Sequence, residues 1–107
     1  MSKRYRGAIA YEIRVTPEDH SDIDQWFSDP HDAERVREGL TNGNVWEWCT
    51  VELRATTVHR GRVVTESDYL GACSYPSEQA FRECAYFTDM KREARRALIA
   101  NVTREAK

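Results

Sequence analysis

The stretch NVWEWCTVELRATTVHRGRVVTESDYLGACSY, residues 44–75, decides the fold of this chain. Its pattern predicts two long β-strands, over residues 45–58 and 63–72, joined by a tight turn at Arg60-Gly61. Glycine favours such a turn because it adopts a positive φ at no steric cost. The segment therefore predicts an antiparallel hairpin around which the rest of the chain is built.

The two faces of the first predicted strand differ in character. Alternation places Val51 and its alternate neighbours on an apolar face, which Glu47 interrupts near its start. Trp46 and Trp48 fall on the opposite face, beside Arg54. The return strand carries Thr, Glu, Ser and Asp in succession, which is typical of an edge strand or of a strand with one solvated face.

Periodicity outside the hairpin predicts a further strand and three helices. Residues 5–15 alternate between apolar and charged side chains, which is typical of a half-buried strand. Ser28-Asp29-Pro30 begins an amphipathic helix that we expect Gly39 and residues 41–44 to end. A short helix over residues 76–83 precedes a long amphipathic helix over residues 88–104.

The main elements follow in the order strand, helix, strand, strand, helix. The simplest closure is an α+β two-layer domain, in which a three-stranded, mostly antiparallel sheet carries both helices on one face. The length of 107 residues predicts a single domain over residues 1–107. With 40% hydrophobic and 32% charged residues, the composition suits a globular domain with one core.

Composition and motifs argue against several classes of protein. No apolar run approaches the roughly 18 residues that span a bilayer, and MSKRYRG lacks the apolar segment of a signal peptide, which predicts a cytoplasmic location. Cys49, Cys73 and Cys84 are odd in number and lack a Cys-x-x-Cys spacing, so each is expected to be a buried free thiol. Phosphate-loop, nucleophile and metal-chelating motifs are absent from the sequence. We therefore expect no enzyme, no metal and no cofactor.

Charge is distributed unevenly, although the net charge is only −2. Residues 15–34 contain seven acids and no Lys or Arg, whereas residues 88–107 contain six bases against three acids. An exposed acidic segment can imitate the spacing of phosphates and enter a basic groove of a partner. The alternative is a solvated segment whose charge is partly balanced by the basic last helix.

We expect the acidic segment to be the partner-binding surface. Ile23, Trp26 and Phe27 are spaced to form one helical turn against the core. Trp26 would be the anchor, because a few aromatic residues carry much of the binding energy of an interface. The acids expected to contact the partner are Asp19, Asp22, Asp24, Asp29 and Asp32.

Trp46 and Trp48 form a second candidate surface. If the helices cover the Val51 face, both indoles lie on the open face of the sheet beside Arg54. There they would form a base-stacking platform for single-stranded nucleic acid, or a patch for a protein. Alternatively, the faces are reversed, or residues 17–29 cover the indoles.

Two further surfaces follow from the charge pattern and the hairpin. Lys3, Arg4 and Arg6 suit nucleic acid only if they form one positive face with the basic last helix, which a pI near 5.9 disfavours. A solvated helix face is the alternative. The polar return strand, as an exposed edge, would also allow a homodimer.

Residues 45–90 carry the segments VWEWCTVELRAT, SDYLGACSYPSEQAFRE and YFTDM. This part of the chain resembles small accessory proteins of bacteriophages and mobile elements, which pair a Trp-x-Trp-Cys strand with a Tyr-Leu-Gly-x-Cys-Ser-Tyr return. The resemblance implies an anti-CRISPR or other anti-defence inhibitor that blocks a protein or ribonucleoprotein complex in the bacterial host cytoplasm without catalysis, and it transfers no functional residues. Our leading hypothesis is such an inhibitor, and the alternative is a single-stranded nucleic-acid-binding module.

Overall fold

A computed structural model describes residues 7–105 of the chain. Within that range the strands are β1 (Ala10–Pro17), β2 (Cys49–His59) and β3 (Arg62–Cys73). The α-helices are α1 (Ile23–Trp26), α2 (Pro30–Thr41), α3 (Glu78–Arg82) and α4 (Ala85–Glu105). Two 3₁₀ turns, His20–Asp22 and Val45–Glu47, precede α1 and β2.

The three strands form one antiparallel sheet in the order β1–β2–β3. The central strand places Leu53 opposite Ile13 of β1 and opposite Asp68 of β3. The α+β fold with a three-stranded antiparallel sheet, predicted from the sequence, is confirmed. The return strand β3 lies at one edge of the sheet, as predicted, and β1 forms the other edge.

The hairpin turn lies at the predicted position. Arg60 and Gly61 have φ angles of 53° and 77°, between the end of β2 at His59 and the start of β3 at Arg62. Two positive φ angles are characteristic of the turn whose twist matches that of the flanking strands.

Helix α4 covers one face of the sheet, across β2 and β3. Its side chains Met90, Ala94 and Leu98 are buried against the inner face of β2, which includes Leu53 and Ala55. The burial of β2 alternates strictly over residues 49–57, because successive side chains of a strand point to opposite faces. The outer face of the sheet is polar.

Helix α2 packs beyond the end of the sheet. It contacts α1 and the turn Val45–Glu47, where Ala33 and Val36 form a second core with Ile23 and Trp48. The predicted cap is confirmed, since the Asp29 carboxylate accepts a hydrogen bond from a backbone N–H of the first turn. The sequence placed α2 on the same sheet face as α4, whereas the structure gives it this separate core.

Two predicted boundaries differ from the structure. Strand β1 begins at Ala10, and the Ala8 carbonyl before it accepts a hydrogen bond of 2.7 Å from the Thr57 hydroxyl. The predicted start of this strand at Tyr5, and the basic residues Lys3, Arg4 and Arg6, lie outside the described residues. Gly39 does not end α2, which continues to Thr41. None of the helices within residues 7–105 has the length and apolar character needed to cross a bilayer.

Candidate functional site

The structure buries both tryptophans of the Trp-x-Trp segment. Trp46 is 9% exposed and Trp48 is 1% exposed. The side chain of Asn44 accepts a hydrogen bond of 3.2 Å from the Trp46 N–H and thereby begins the 3₁₀ turn Val45–Glu47, so the alternation of β2 starts only at Cys49. The prediction that both indoles form an open stacking platform is therefore wrong.

Each indole lies in a different core. Trp46 packs in the core beneath α4, with its ring 5.5 Å from the Phe81 ring. Trp48 packs against Ile23 and Phe27, and its Nε1–H donates a hydrogen bond of 3.0 Å to the Asp19 carbonyl. The alternative left open by the sequence, that residues 17–29 cover the indoles, therefore holds for Trp48.

Arg54 remains on the outer face of the sheet, but it is engaged there. Its Nε donates to the Glu52 carboxylate at 2.9 Å. The Ser67 hydroxyl donates to the same carboxylate at 2.6 Å. The Ser67 hydrogen bond, followed by the Arg54 hydrogen bond, lowers the pKa of Glu52. This face is an internally paired polar surface rather than a stacking platform.

Trp26 is the tryptophan that the fold leaves outside. Helix α1 is a single turn that directs Ile23 into the core, whereas Trp26 remains 63% exposed. The Trp26 ring lies 6.4 Å from the buried Trp48 ring, tilted by 54°. The expected anchor is thus exposed and held by contact with a buried neighbour.

Trp26 lines a cleft of about 430 Å³. Trp48 provides the buried wall, and Tyr86 at the start of α4 lines the cleft as a second exposed aromatic. The end of β3 also lines it, where Ala72 has a φ of 53°. The Ala72 N–H donates to the Glu18 carboxylate at 3.2 Å, which ties the acidic connection to β3.

Sequence reasoning did not assign Tyr86 or Ala72 to a site. The one local signal was the run of small residues at 71–74, which indicates a close approach of the backbone to another element. Tyr86 carried no signal, because it lies between the two predicted helices and 60 positions after Trp26 in the sequence.

Cys49 and Cys73 are unsuited to nucleophilic chemistry. Cys49 and Cys73 are buried and lie opposite each other on β2 and β3, and Cys84 is half-buried, all three as free thiols. Burial raises the pKa of Cys49 to about 12 and also raises the pKa of Cys73. Both thiols therefore stay protonated at neutral pH, and a protonated thiol is a poor nucleophile.

The structure gives three of the expected contact acids a role in the fold. Asp19 and Asp29 each accept a hydrogen bond of 2.9 Å from the backbone N–H two residues further on. Asp24 forms an ion pair of 2.6 Å with Arg37. Asp32 is exposed and Asp22 is half-buried, and neither carboxylate has a hydrogen-bond or ion-pair partner in the described part of the chain. These two acids are available to a binding partner.

The bases of α4 are paired mainly along their own helix. Arg92 pairs with Asp89 at 3.3 Å, and Arg96 pairs with Glu93 at 2.9 Å. Lys91 lies 4.8 Å from the centre of the Tyr11 ring. This arrangement is that of a solvated helix face, with its ion pairs inside α4 rather than to the acidic segment.

The described residues 7–105 contain no group of three or more His, Cys, Asp or Glu side chains placed to hold a metal ion. Comparison of the chain with protein-family models, with curated proteins and with solved structures finds no match in any of the three. A function is therefore inferred from the geometry of the cleft and its rim.

Proposed function

We propose that this chain is a non-enzymatic protein that binds and blocks a protein or ribonucleoprotein complex of a bacterial host, with the cleft beside Trp26 as its contact site. The observation that carries the proposal is an indole that stays 63% exposed beside an aromatic cleft of about 430 Å³. Tryptophan is usually well buried, and at interfaces it is enriched among the residues that dominate binding energy.

The chemistry of the cleft favours an arginine of the partner. Trp26 and Tyr86 are 63% and 56% exposed and offer ring faces to a planar cation. Asp22 is half-buried and does not line the cleft, but it lies one helical turn before Trp26, and its carboxylate has no partner in residues 7–105. Guanidinium groups stack on aromatic rings and bind carboxylates in two-point contacts, so both features select arginine over lysine.

The surrounding charge supports a partner that handles nucleic acid. Residues 18–34 contain seven acids and no Lys or Arg, and such a segment suits a basic groove that otherwise holds phosphates. Because Asp19, Asp24 and Asp29 are engaged in the fold, the proposal relies on the anchor and on two unpaired acids, not on a continuous imitation of a phosphate ladder. A bacterial host machine and a cytoplasmic site of action are part of the proposal because we interpret the sequence pattern of residues 45–90 as similar to phage accessory proteins.

Affinity capture from a bacterial lysate, followed by mass spectrometry, tests this proposal. The wild-type chain is compared with Trp26→Ala and with the double variant Asp22→Lys/Asp32→Lys. Matched controls are Tyr69→Ala, an equally exposed aromatic on the outer sheet face, and Asp89→Lys on α4. We expect a specific partner with the wild type and the controls, and its loss with both test variants.

Charge reversal at Asp19 or Asp24 would not test binding cleanly. Removing a capping side chain costs about 0.5–2 kcal/mol of stability, and a lysine at position 24 would face Arg37. Trp26→Ala should leave the thermal midpoint nearly unchanged, because most of the indole is already exposed. Equal capture of the partner by the wild type and by folded Trp26→Ala would contradict the proposed site.

A further inference from the structure

Strand β1 presents an edge that is open in two respects. It lies at the end of the strand order, so the backbone groups on its outer side have no strand partner within residues 7–105. Helix α4 packs across β2 and β3, which leaves Tyr11, Ile13 and Val15 on the inner face of β1 only half-buried. An edge that exposes both backbone hydrogen-bonding groups and apolar side chains is a template for pairing with another strand.

Strand β1 carries charged side chains at Glu12 and Arg14, and Lys91 lies 4.8 Å from the centre of the Tyr11 ring. Within residues 7–105, however, the edge lacks the other protections that edge strands commonly have. Edge strands are commonly blunted by a bulge, a proline or an inward-pointing charge. Strand β1 pairs with β2 without a register shift from Ala10 to Pro17, and its one proline is the last residue. Its inner face carries no charge between Tyr11 and Val15.

The sequence of β1, AYEIRVTP, is complementary to itself in one antiparallel register. A two-fold axis at Ile13 places Glu12 opposite Arg14 of the second copy, and Arg14 opposite Glu12 of the second copy. The same register places Tyr11 opposite Val15, so apolar side chains meet on the inner face. An axis at Glu12 or at Arg14 would place like charges opposite each other, which destabilises a strand pair.

The other edge is less suited to self-pairing. The two longest antiparallel registers of β3 with itself have their axes at Ser67 and at Asp68. The first places Glu66 opposite Asp68 of the second copy, and the second places Asp68 opposite itself. The regular register with β2 is also broken near the end of β3, between the partners of Cys49 and Val51.

We propose that the chain forms a homodimer by antiparallel pairing of β1 with β1 of a second copy, centred on Ile13. The two sheets then join into one continuous six-stranded sheet. Both α4 helices lie on the same side of it, and the half-buried side chains of both β1 strands form the floor between them. The dimer carries two copies of the cleft beside Trp26, and this inference does not depend on what the cleft binds.

Charge exchange at the two-fold register tests the proposal. Masses are measured by light scattering and native mass spectrometry from low to high micromolar concentration. The wild type should reach twice the 12.4 kDa of the single chain. Glu12→Arg and Arg14→Glu each place like charges opposite each other twice per dimer and should raise the dissociation constant about tenfold or more.

An equimolar mixture of the two variants should restore dimerisation. In a mixed dimer, the two basic side chains at positions 12 and 14 of the Glu12→Arg chain lie opposite the two acidic side chains at positions 14 and 12 of the Arg14→Glu chain. Isotope-labelled chains should therefore form the mixed dimer in preference to either homodimer. Arg96→Glu, an exposed reversal on α4, is the matched control and should dimerise like the wild type. Circular dichroism confirms that each variant is folded. A monomeric wild type at all concentrations, an unaffected Arg14→Glu dimer, or a mixture without mixed dimers would overturn the proposal.

Discussion

Replacement of Gly39 by alanine tests how α2 is held at the end of the sheet. Gly39 lies inside α2 and lacks a positive φ, so alanine there would ordinarily stabilise the helix by about 0.5–1 kcal/mol. A Cβ at this position would overlap the Cγ of Glu47 and lie 3.0 Å from its Cδ and 3.3 Å from its Cβ. The helix propensity and the packing therefore oppose each other.

The packing term should be the larger of the two. Glu47 is only 7% exposed and pairs with Arg35 at 3.4 Å. Its backbone lies between the buried residues Trp46 and Trp48, so neither the side chain nor the turn can move away at little cost. Overpacking of a filled site costs about 1–3 kcal/mol. The expected net loss is about 0.5–2 kcal/mol, which lowers the thermal midpoint of a domain of this size by several degrees.

Urea denaturation, followed by circular dichroism, measures this loss, and a double-mutant cycle assigns its cause. In a Glu47→Ala background the overlap is removed, so Gly39→Ala should become stabilising by about 0.5–1 kcal/mol. Gly43→Ala is the control, because its φ of 88° is strained for alanine and no atom lies within 4 Å of the added Cβ. That variant should lose stability equally in both backgrounds. Gly39→Ala with undiminished stability in the wild-type background would refute the packing argument.

Two further predictions concern titratable groups. Ser67→Ala should cost about 1–2 kcal/mol at neutral pH by removing the main cause of the lowered pKa of Glu52. Because the pKa of Glu52 is lowered in the folded state, its ionised carboxylate stabilises the fold at pH values above the ordinary pKa of 4.5. This contribution is lost as the pH falls through the lowered pKa. The free energies of unfolding of the variant and the wild type, measured in urea, should therefore converge in acid. Cys49, with a pKa raised to about 12, should react with iodoacetamide at mildly alkaline pH only as fast as the protein opens, after the half-buried Cys84. Mass spectrometry of the modified peptides follows both sites, and rapid modification of native Cys49 would contradict its burial.

Hydrophobic periodicity correctly predicted those elements in which a single pattern runs without interruption. The alternation of β2 after Cys49, the turn at Arg60-Gly61 and the apolar stripe of α4 are all as the sequence predicted. Periodicity predicted the wrong exposure for Trp46 and Trp48, because the strand alternation does not continue through the 3₁₀ turn Val45–Glu47. Glu47, which interrupts the apolar face, was the local sign of that break.

The break itself depends in part on a contact that a local pattern does not contain, the hydrogen bond between Asn44 and Pro76. Asn44 accepts a hydrogen bond from Trp46, and its Nδ2 donates to the Pro76 carbonyl at 2.8 Å. Those partners lie 2 and 32 positions away in the sequence. Gly39 was similarly interpreted as a helix end, whereas its role is to leave room for Glu47. In both cases tertiary packing overrode the local signal.

The candidate site was only half predictable for a related reason. Spacing directed both Ile23 and Trp26 to the core, but one turn of helix has a single inner face, and Ile23 occupies it. Trp48 packs next to Ile23 in the core, so Trp26 contacts only the outer side of the Trp48 ring. The exposure of Trp26 is thus a consequence of the burial of Trp48.

The acidic segment accordingly divides into a part that packs against the hairpin and a part that is exposed to solvent. At its start, the Glu18 N–H donates to the Trp48 carbonyl at 3.3 Å, and the Glu18 carboxylate accepts from Ala72. The Asp19 carbonyl accepts from the Trp48 indole. These contacts close the end of the hairpin, and the helical turn that follows projects Trp26 outward. Substitutions at residues 18 and 19 should therefore lower stability and binding together, whereas substitution of Trp26 should separate the two.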